Sequence, residues 1–130
     1  MRVLIADDSA VVVERLVTLL SELEDVEIVG KAQTCDEATE CIRQLQPDVV
    51  ILDIRMPGGS GIDVLETVKQ TTPAPIVMML TNFPYSQYRE KCLRAGADFF
   101  FDKSTEFEEM IGVFRSLLPS PSRGCRENAA

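Results

Sequence analysis

The sequence predicts a doubly wound α/β domain, five strand-helix units around a parallel sheet, and three observations carry that prediction. Five short apolar runs alternate with longer segments of helical period. Three of the runs are apolar at every position, as strands buried on both faces of a parallel sheet must be. Prolines and a glycine stand at the junctions where helices have to start or stop.

Taken in order, Val3-Leu4-Ile5-Ala6 is the first strand, and Val12, Leu16, Leu19, Leu20 and Leu23 recur at the spacing of one helix face. Val26 to Val29 is the second strand; it admits Glu27 and is therefore placed at an edge. Ala38, Cys41, Ile42 and Leu45 mark the second helix, closed by Pro47. Val49-Val50-Ile51-Leu52 is the third strand, and Ile62, Leu65 and Val68 stripe the third helix. Pro73 and Pro75 separate that helix from the fourth strand, Ile76 to Leu80. Pro84 suits the first turn of the fourth helix, whose stripe of Tyr88, Cys92 and Ala95 is the weakest, and Gly96 stops it. Phe99-Phe100-Phe101 is the fifth strand, placed at the other edge because its aromatics look exposed. Met110, Ile111, Phe114, Leu117 and Leu118 complete the last helix. Right-handed crossovers put helices on both faces of the sheet. After Leu118 the pattern dissolves into Pro119-Ser120-Pro121-Ser122-Arg123-Gly124, so residues 119–130 are expected to be a disordered tail or a severed linker.

Composition narrows the function. At 130 residues the chain holds one core and leaves no room for a second domain. Thirteen basic against 21 acidic residues give a formal charge of -8, which disfavours direct nucleic acid binding. The first apolar run is broken at once by two aspartates, and no run approaches membrane-spanning length; a cytoplasmic protein without a membrane anchor is expected. Cys35, Cys41, Cys92 and Cys125 form no paired motif and have no histidine to join them, so reduced, partly buried thiols are expected rather than zinc or disulfides. The absence of histidine also removes imidazole acid/base catalysis and any internal phosphohistidine.

The informative residues stand where the strands run out: Asp7 and Asp8, Asp53, Thr81 and Lys103. Each has a structural explanation of its own. Asp8 and Ser9 are helix-capping types, Asp53 can satisfy loop amides, Thr81 can cap the next helix, and Lys103 can be a solvated charge. Their coincidence says more, because strand ends of a parallel sheet converge on one crevice. Three carboxylates, a hydroxyl and an ammonium meeting there suit divalent-metal and phosphoryl chemistry.

Those residues carry a resemblance. Leu4-Ile5-Ala6-Asp7-Asp8-Ser9, Val50-Ile51-Leu52-Asp53-Ile54-Arg55-Met56-Pro57 with Gly61 eight past the aspartate, Met79-Leu80-Thr81, Ala95-Gly96-Ala97-Asp98 and Lys103 together resemble the receiver domain of bacterial two-component response regulators, over residues 2 to 118. The resemblance implies a flavodoxin-like fold, strand order 2-1-3-4-5, with residues 1–118 as the receiver. It implies that Asp53 accepts a phosphoryl group from the phosphohistidine of a histidine kinase or histidine phosphotransfer protein. Asp8, Asp53 and the backbone carbonyl of Arg55 would hold Mg²⁺ or Mn²⁺, with Asp7 assisting through a water. Lys103 would pair with a phosphoryl oxygen and Thr81 would hydrogen-bond another. Phe100 matches an aromatic that turns inward as the Thr81 loop moves, biasing a surface of the fourth helix, fifth strand and fifth helix toward a downstream protein or a second copy of the chain. For Phe99 and Phe101, on the opposite face, packing is the expected role. Such a protein promotes only its own phosphorylation and dephosphorylation and is not a metabolic enzyme.

The chain also departs from the pattern. Ser104 follows Lys103 where receivers usually carry proline, which puts the loop geometry in question. Asn82 and Phe83 after Thr81, with Arg55 two past Asp53, place large groups at the border of the site and suggest slow hydrolysis through shielding of the attacking water. Val11-Val12-Val13 cannot all face the core, since consecutive helical residues diverge by about a quarter turn; one or two are expected at the surface, available to a kinase. Tyr85 and Tyr88 raise the same question. Two other readings stay open. A haloacid-dehalogenase-like phosphatase also uses an aspartate, Mg²⁺, a hydroxyl and a lysine, yet needs a second aspartate where Arg55 stands. A pseudo-receiver would keep the fold without the chemistry. A flavin-binding protein fits less well, because Asp7-Asp8-Ser9 is acidic where a flavin phosphate would sit.

Overall fold

The computed structural model describes residues 1–82, 86–103 and 105–118. The elements are β1 (Arg2–Ala6), α1 (Ala10–Leu20), β2 (Glu27–Ala32), α2 (Cys35–Leu45), β3 (Val49–Leu52), β4 (Arg55–Met56), β5 (Gly59–Ser60), α3 (Gly61–Val68), β6 (Ile76–Thr81), α4 (Ser86–Arg94), β7 (Phe99–Asp102) and α5 (Phe107–Leu117). Five strands form one sheet in the order β2-β1-β3-β6-β7, and every neighbouring pair is parallel. With the short antiparallel β4–β5 hairpin set aside, this is the flavodoxin-like order 2-1-3-4-5, and the edges are the two expected ones. The second strand runs three residues past Val29, because its pairing with β1 continues to Ala6 opposite Ala32.

Side-chain alternation along the strands divides the core in two. Leu4 and Ala6, Val50 and Leu52, and Val77 and Met79 point to the face covered by α2, α3 and α4. Val3 and Ile5, Val49 and Ile51, and Met78 and Leu80 point to the face covered by α1 and α5. The three all-apolar runs are buried throughout, apart from half-covered Ile76. One expectation is corrected. The aromatics of β7 look exposed in sequence, yet Phe100 and Phe101 are buried and Phe99 is half-buried. An edge strand lacks a neighbour only in the plane of the sheet, and here helices cover both faces. Phe99 and Phe101 stack with centroids 6.1 Å apart on the α5 side, while Phe100 joins the α4 side.

Local signals set the helix ends. Ser9 Oγ accepts from the Val12 amide and caps α1, which leaves Asp8 outside the cap. Thr34 caps α2 through the Glu37 amide, and Glu37 reaches back to the amide of Gln33. Gly96, at φ +108°, ends α4 with its own amide on Leu93 O and the Ala97 amide on Cys92 O. The β4–β5 hairpin has no counterpart in the strand reading, since two-residue strands carry no periodicity; Gly58 and Gly59, both at positive φ, were its signal. Cys35 and Cys92 are buried and Cys41 half-buried, all as free thiols. Phe83, Pro84, Tyr85, Ser104, Cys125 and the whole of residues 119–130 lie outside the described residues.

Candidate functional site

Strand pairing carries each site residue to one edge of the sheet. The Asp7 amide continues the ladder from β1 to Ala32 O at 2.9 Å, and the Asp53 amide leaves β3 for Ala6 O at 3.0 Å. Thr81 is the last residue of β6, and its carbonyl accepts the Lys103 amide at 2.9 Å. The adjacent strands β1, β3, β6 and β7 thus end in Asp7, Asp53, Thr81 and Lys103.

Burial singles out the same residues. Among the described residues the buried polar side chains are Asp7, Asp53, Thr81 and Lys103, at 2 %, 5 %, 0 % and 7 % exposure. Buried charges persist only when paired. The Lys103 ammonium lies 2.6 Å from Asp7 Oδ2 and 2.9 Å from Asp53 Oδ2. The remaining Asp7 oxygen accepts the Ser9 amide at 2.8 Å, and Asp53 Oδ1 accepts the Arg55 amide at 3.4 Å. Burial pushes the Asp53 carboxyl above its ordinary pKa, outweighing the ammonium and the Arg55 amide, with Asp7 adding repulsion. Burial alone would lower the Lys103 pKa, but the two carboxylates prevail and raise it.

Asp8 supplies the exposed member. Carboxylate oxygens of Asp7, Asp8 and Asp53 come within 4.8 Å of one another, close enough for three hard oxygen donors to serve one cation. Three carboxylates against one ammonium leave the site two negative charges in excess. The donor set and its charge fit Mg²⁺ or Mn²⁺.

The bordering residues are less uniform. Arg55 and Asn82 are exposed. Phe100 is buried, with the Arg89 guanidinium carbon 5.8 Å from its ring centroid. Tyr88, read in sequence only as a core or surface residue, reaches a cavity of about 520 Å³ beside the cluster, with Asp8, Arg55, Met56 and Ser60. Gly61, present in the motif without an assigned role, packs so closely that a Cβ there would sit 1.9 Å from the carbonyl oxygen of Asp53. Val11 is 75 % exposed, whereas Val12 and Val13 pack partly against the α1–α5 core. No helix among the described residues is long and apolar enough to cross a membrane.

Comparison with known proteins agrees with this geometry. A family model described as the response regulator receiver domain matches residues 3–115. The transcriptional regulatory protein DesR of Bacillus subtilis is 33% identical over 116 residues, 89% of this chain and 57% of that protein. A protein-glutamate methylesterase/protein-glutamine glutaminase of Methanosarcina acetivorans is 37% identical over 119 residues, 91% of this chain and 34% of that protein. The chain therefore spans between about a third and three-fifths of the length of these two relatives. Among solved structures, the receiver domain of the response regulator NarL from Mycobacterium tuberculosis aligns with a TM-score of 0.82 at 29% identity, covering 89% of this chain and 94% of that one. The response regulator domain of Thermotoga maritima CheB aligns at 0.79 and 28%, covering 97% and 98%. Sequence, sheet order and the buried polar quartet converge, and the chain belongs to the response regulator receiver domain family.

Proposed function

We propose that this domain is a signalling phosphoacceptor in which Asp53 takes a phosphoryl group from a phosphohistidine of a histidine kinase or histidine phosphotransfer protein. A carboxylate oxygen of Asp53 attacks phosphorus, the P–N bond breaks, and the imidazole leaves with the electron pair, giving an acyl phosphate. The observation that carries the reading is the concentration of buried polar side chains at one sheet edge, with Lys103 held between Asp7 and Asp53. Asp8, Asp53 and the Arg55 carbonyl would hold Mg²⁺ or Mn²⁺, with Asp7 assisting through a water. A bound divalent cation would offset the charge crowded between carboxylate and phosphoryl group.

The chain's own groups account for the rest. Lys103, already within hydrogen-bond reach of Asp53, pairs with a phosphoryl oxygen. Thr81 donates its hydroxyl to another. Its movement draws on Phe100 and biases the surface of α4, β7 and α5 toward a downstream protein or a second copy of the chain. Residues 1–118 form this receiver unit, acting in the cytoplasm and turning over no external substrate. Arg55 and Asn82 border the phosphoryl group and slow its hydrolysis; an unchanged lifetime after trimming Arg55 to alanine refutes that part.

Intact-mass spectrometry after incubation with acetyl phosphate and Mg²⁺ tests the core of the proposal. One added phosphoryl, absent without metal and absent in Asp53→Ala, is expected. Steady hydrolysis of a generic phosphomonoester would instead favour the phosphatase reading, and no adduct with no phosphate release would favour the pseudo-receiver.

A further inference from the structure

The loop that presents Lys103 is closed by Glu106. The Lys103 amide goes inward to Thr81 O, so the amide of Asp102, one residue earlier, points to the open side of edge strand β7. Glu106 Oε1 accepts that amide at 2.7 Å. The Glu106 amide in turn donates to Asp102 O at 2.9 Å, and the Thr105 amide donates to the same carbonyl at 3.4 Å. One residue therefore clamps Asp102 through both its main chain and its side chain, and Lys103 lies inside the loop so closed.

The cost of this arrangement is visible next door. Glu106 occupies the N-cap of α5, where a side chain ordinarily accepts an amide of the first helical turn, and it makes no such bond. Its carboxylate turns back to the strand instead. Position 104 is serine, so no proline ring fixes the backbone after Lys103.

We propose that Glu106 is a positioning residue for Lys103, tying Asp102 to the start of α5 so that the ammonium reaches the phosphoryl site. The inference rests on the phosphoacceptor reading for the importance of Lys103. Glu106 touches no reacting atom and acts through the geometry of the loop.

A double-mutant cycle tests it, with acetyl phosphate and Mg²⁺ as phosphodonor and adduct formation read by intact mass over time. Glu106→Ala is expected to slow phosphorylation about five- to tenfold, the equivalent of losing about one ordinary hydrogen bond. Glu106→Gln keeps a carbonyl oxygen for the Asp102 amide and should restore the wild-type rate. In a Lys103→Ala background, Glu106→Ala should bring no further slowing, because there is no ammonium left to misplace. The Asp102 amide resonance should shift in Glu106→Ala and stay in place in Glu106→Gln. A wild-type rate in Glu106→Ala overturns the inference, as do equal losses in the alanine and glutamine variants or full slowing without Lys103. If Lys103→Ala alone phosphorylates at the wild-type rate, the role proposed for Lys103 falls instead. Thermal melts of the variants guard against unfolding; α5 gives up no side-chain cap in Glu106→Ala, so a cooperative transition is expected.

Discussion

Replacing Gly61 by alanine adds one methyl group where the backbone leaves no room. An ideal Cβ at this position lies 1.9 Å from the Asp53 carbonyl oxygen, 2.9 Å from its carbonyl carbon and 3.1 Å from the Ile54 Cα. Contacts below 3.0 Å are essentially never made by real Cβ atoms, so the backbone must part by roughly 1 Å. No side chain can yield, because all three neighbours are main-chain atoms. The displacement strains the 2.7 Å bond from the Gly61 amide to Ile54 O, and it moves the residue that carries the acceptor carboxylate. Overpacking of this kind costs about 1–3 kcal/mol, and a weakened buried hydrogen bond adds about 1 kcal/mol, for a destabilisation of about 2–4 kcal/mol. Gly112 is the matched control: it lies inside α5, an added Cβ meets nothing within 4 Å, and Gly112→Ala should stabilise the protein by about 0.5–1 kcal/mol through helix propensity. Urea unfolding followed by circular dichroism measures both, with the slope m expected to stay constant. A Gly61→Ala variant within about 0.5 kcal/mol of wild type would refute the packing argument.

Three further outcomes are expected. In metal-free protein at neutral pH, Asp53→Asn should raise stability, since it removes a desolvated charge and leaves Lys103 paired with Asp7; Mg²⁺ at a hundredfold excess over its Kd should stabilise wild type by about 2.7 kcal/mol and the variant less, as thermal shift will show. The folded-state pKa of Asp53 is raised, so its ionisation opposes folding above that pKa. The advantage of Asp53→Asn should therefore shrink as pH falls through the raised value toward the ordinary carboxyl range, and an advantage that grows there contradicts the assignment. Lys103 behaves oppositely: its folded pKa is also raised, but for a base that means stability fully present below about pH 10.5 and lost as pH rises through the folded value; alkaline unfolding titrations of wild type and Lys103→Arg should diverge there, the arginine form holding its charge.

Much of the fold was written in local pattern. The runs at Val49 to Leu52 and Ile76 to Leu80 are apolar throughout because parallel strands are covered on both faces, and the edge position of β2 showed in Glu27. The site was legible for a related reason: the residues after those strands are polar where everything before them is apolar. Phe100 and Phe101 misled, because burial at an edge depends on helices the strand itself does not specify. The β4–β5 hairpin escaped because two residues are too few for a period, and the reach of Tyr88 to the cavity beside Asp8 escaped because it depends on how α4 lies against α3.

By itself the sequence determined the order of the five strand-helix units, the helix stops before Pro47 and at Gly96, and the set of acidic, hydroxyl and basic groups, since each depends on neighbours along the chain. Only the tertiary structure decided which charges meet. That Lys103 bridges Asp7 and Asp53, residues 96 and 50 positions away, follows from the parallel order β1-β3-β6-β7, and that Glu106 folds back on Asp102 follows from β7 lying at an open edge. Hydrogen bonds form only at contact and Coulomb attraction weakens with separation, so both depend on distance in space, which one-dimensional pattern does not hold.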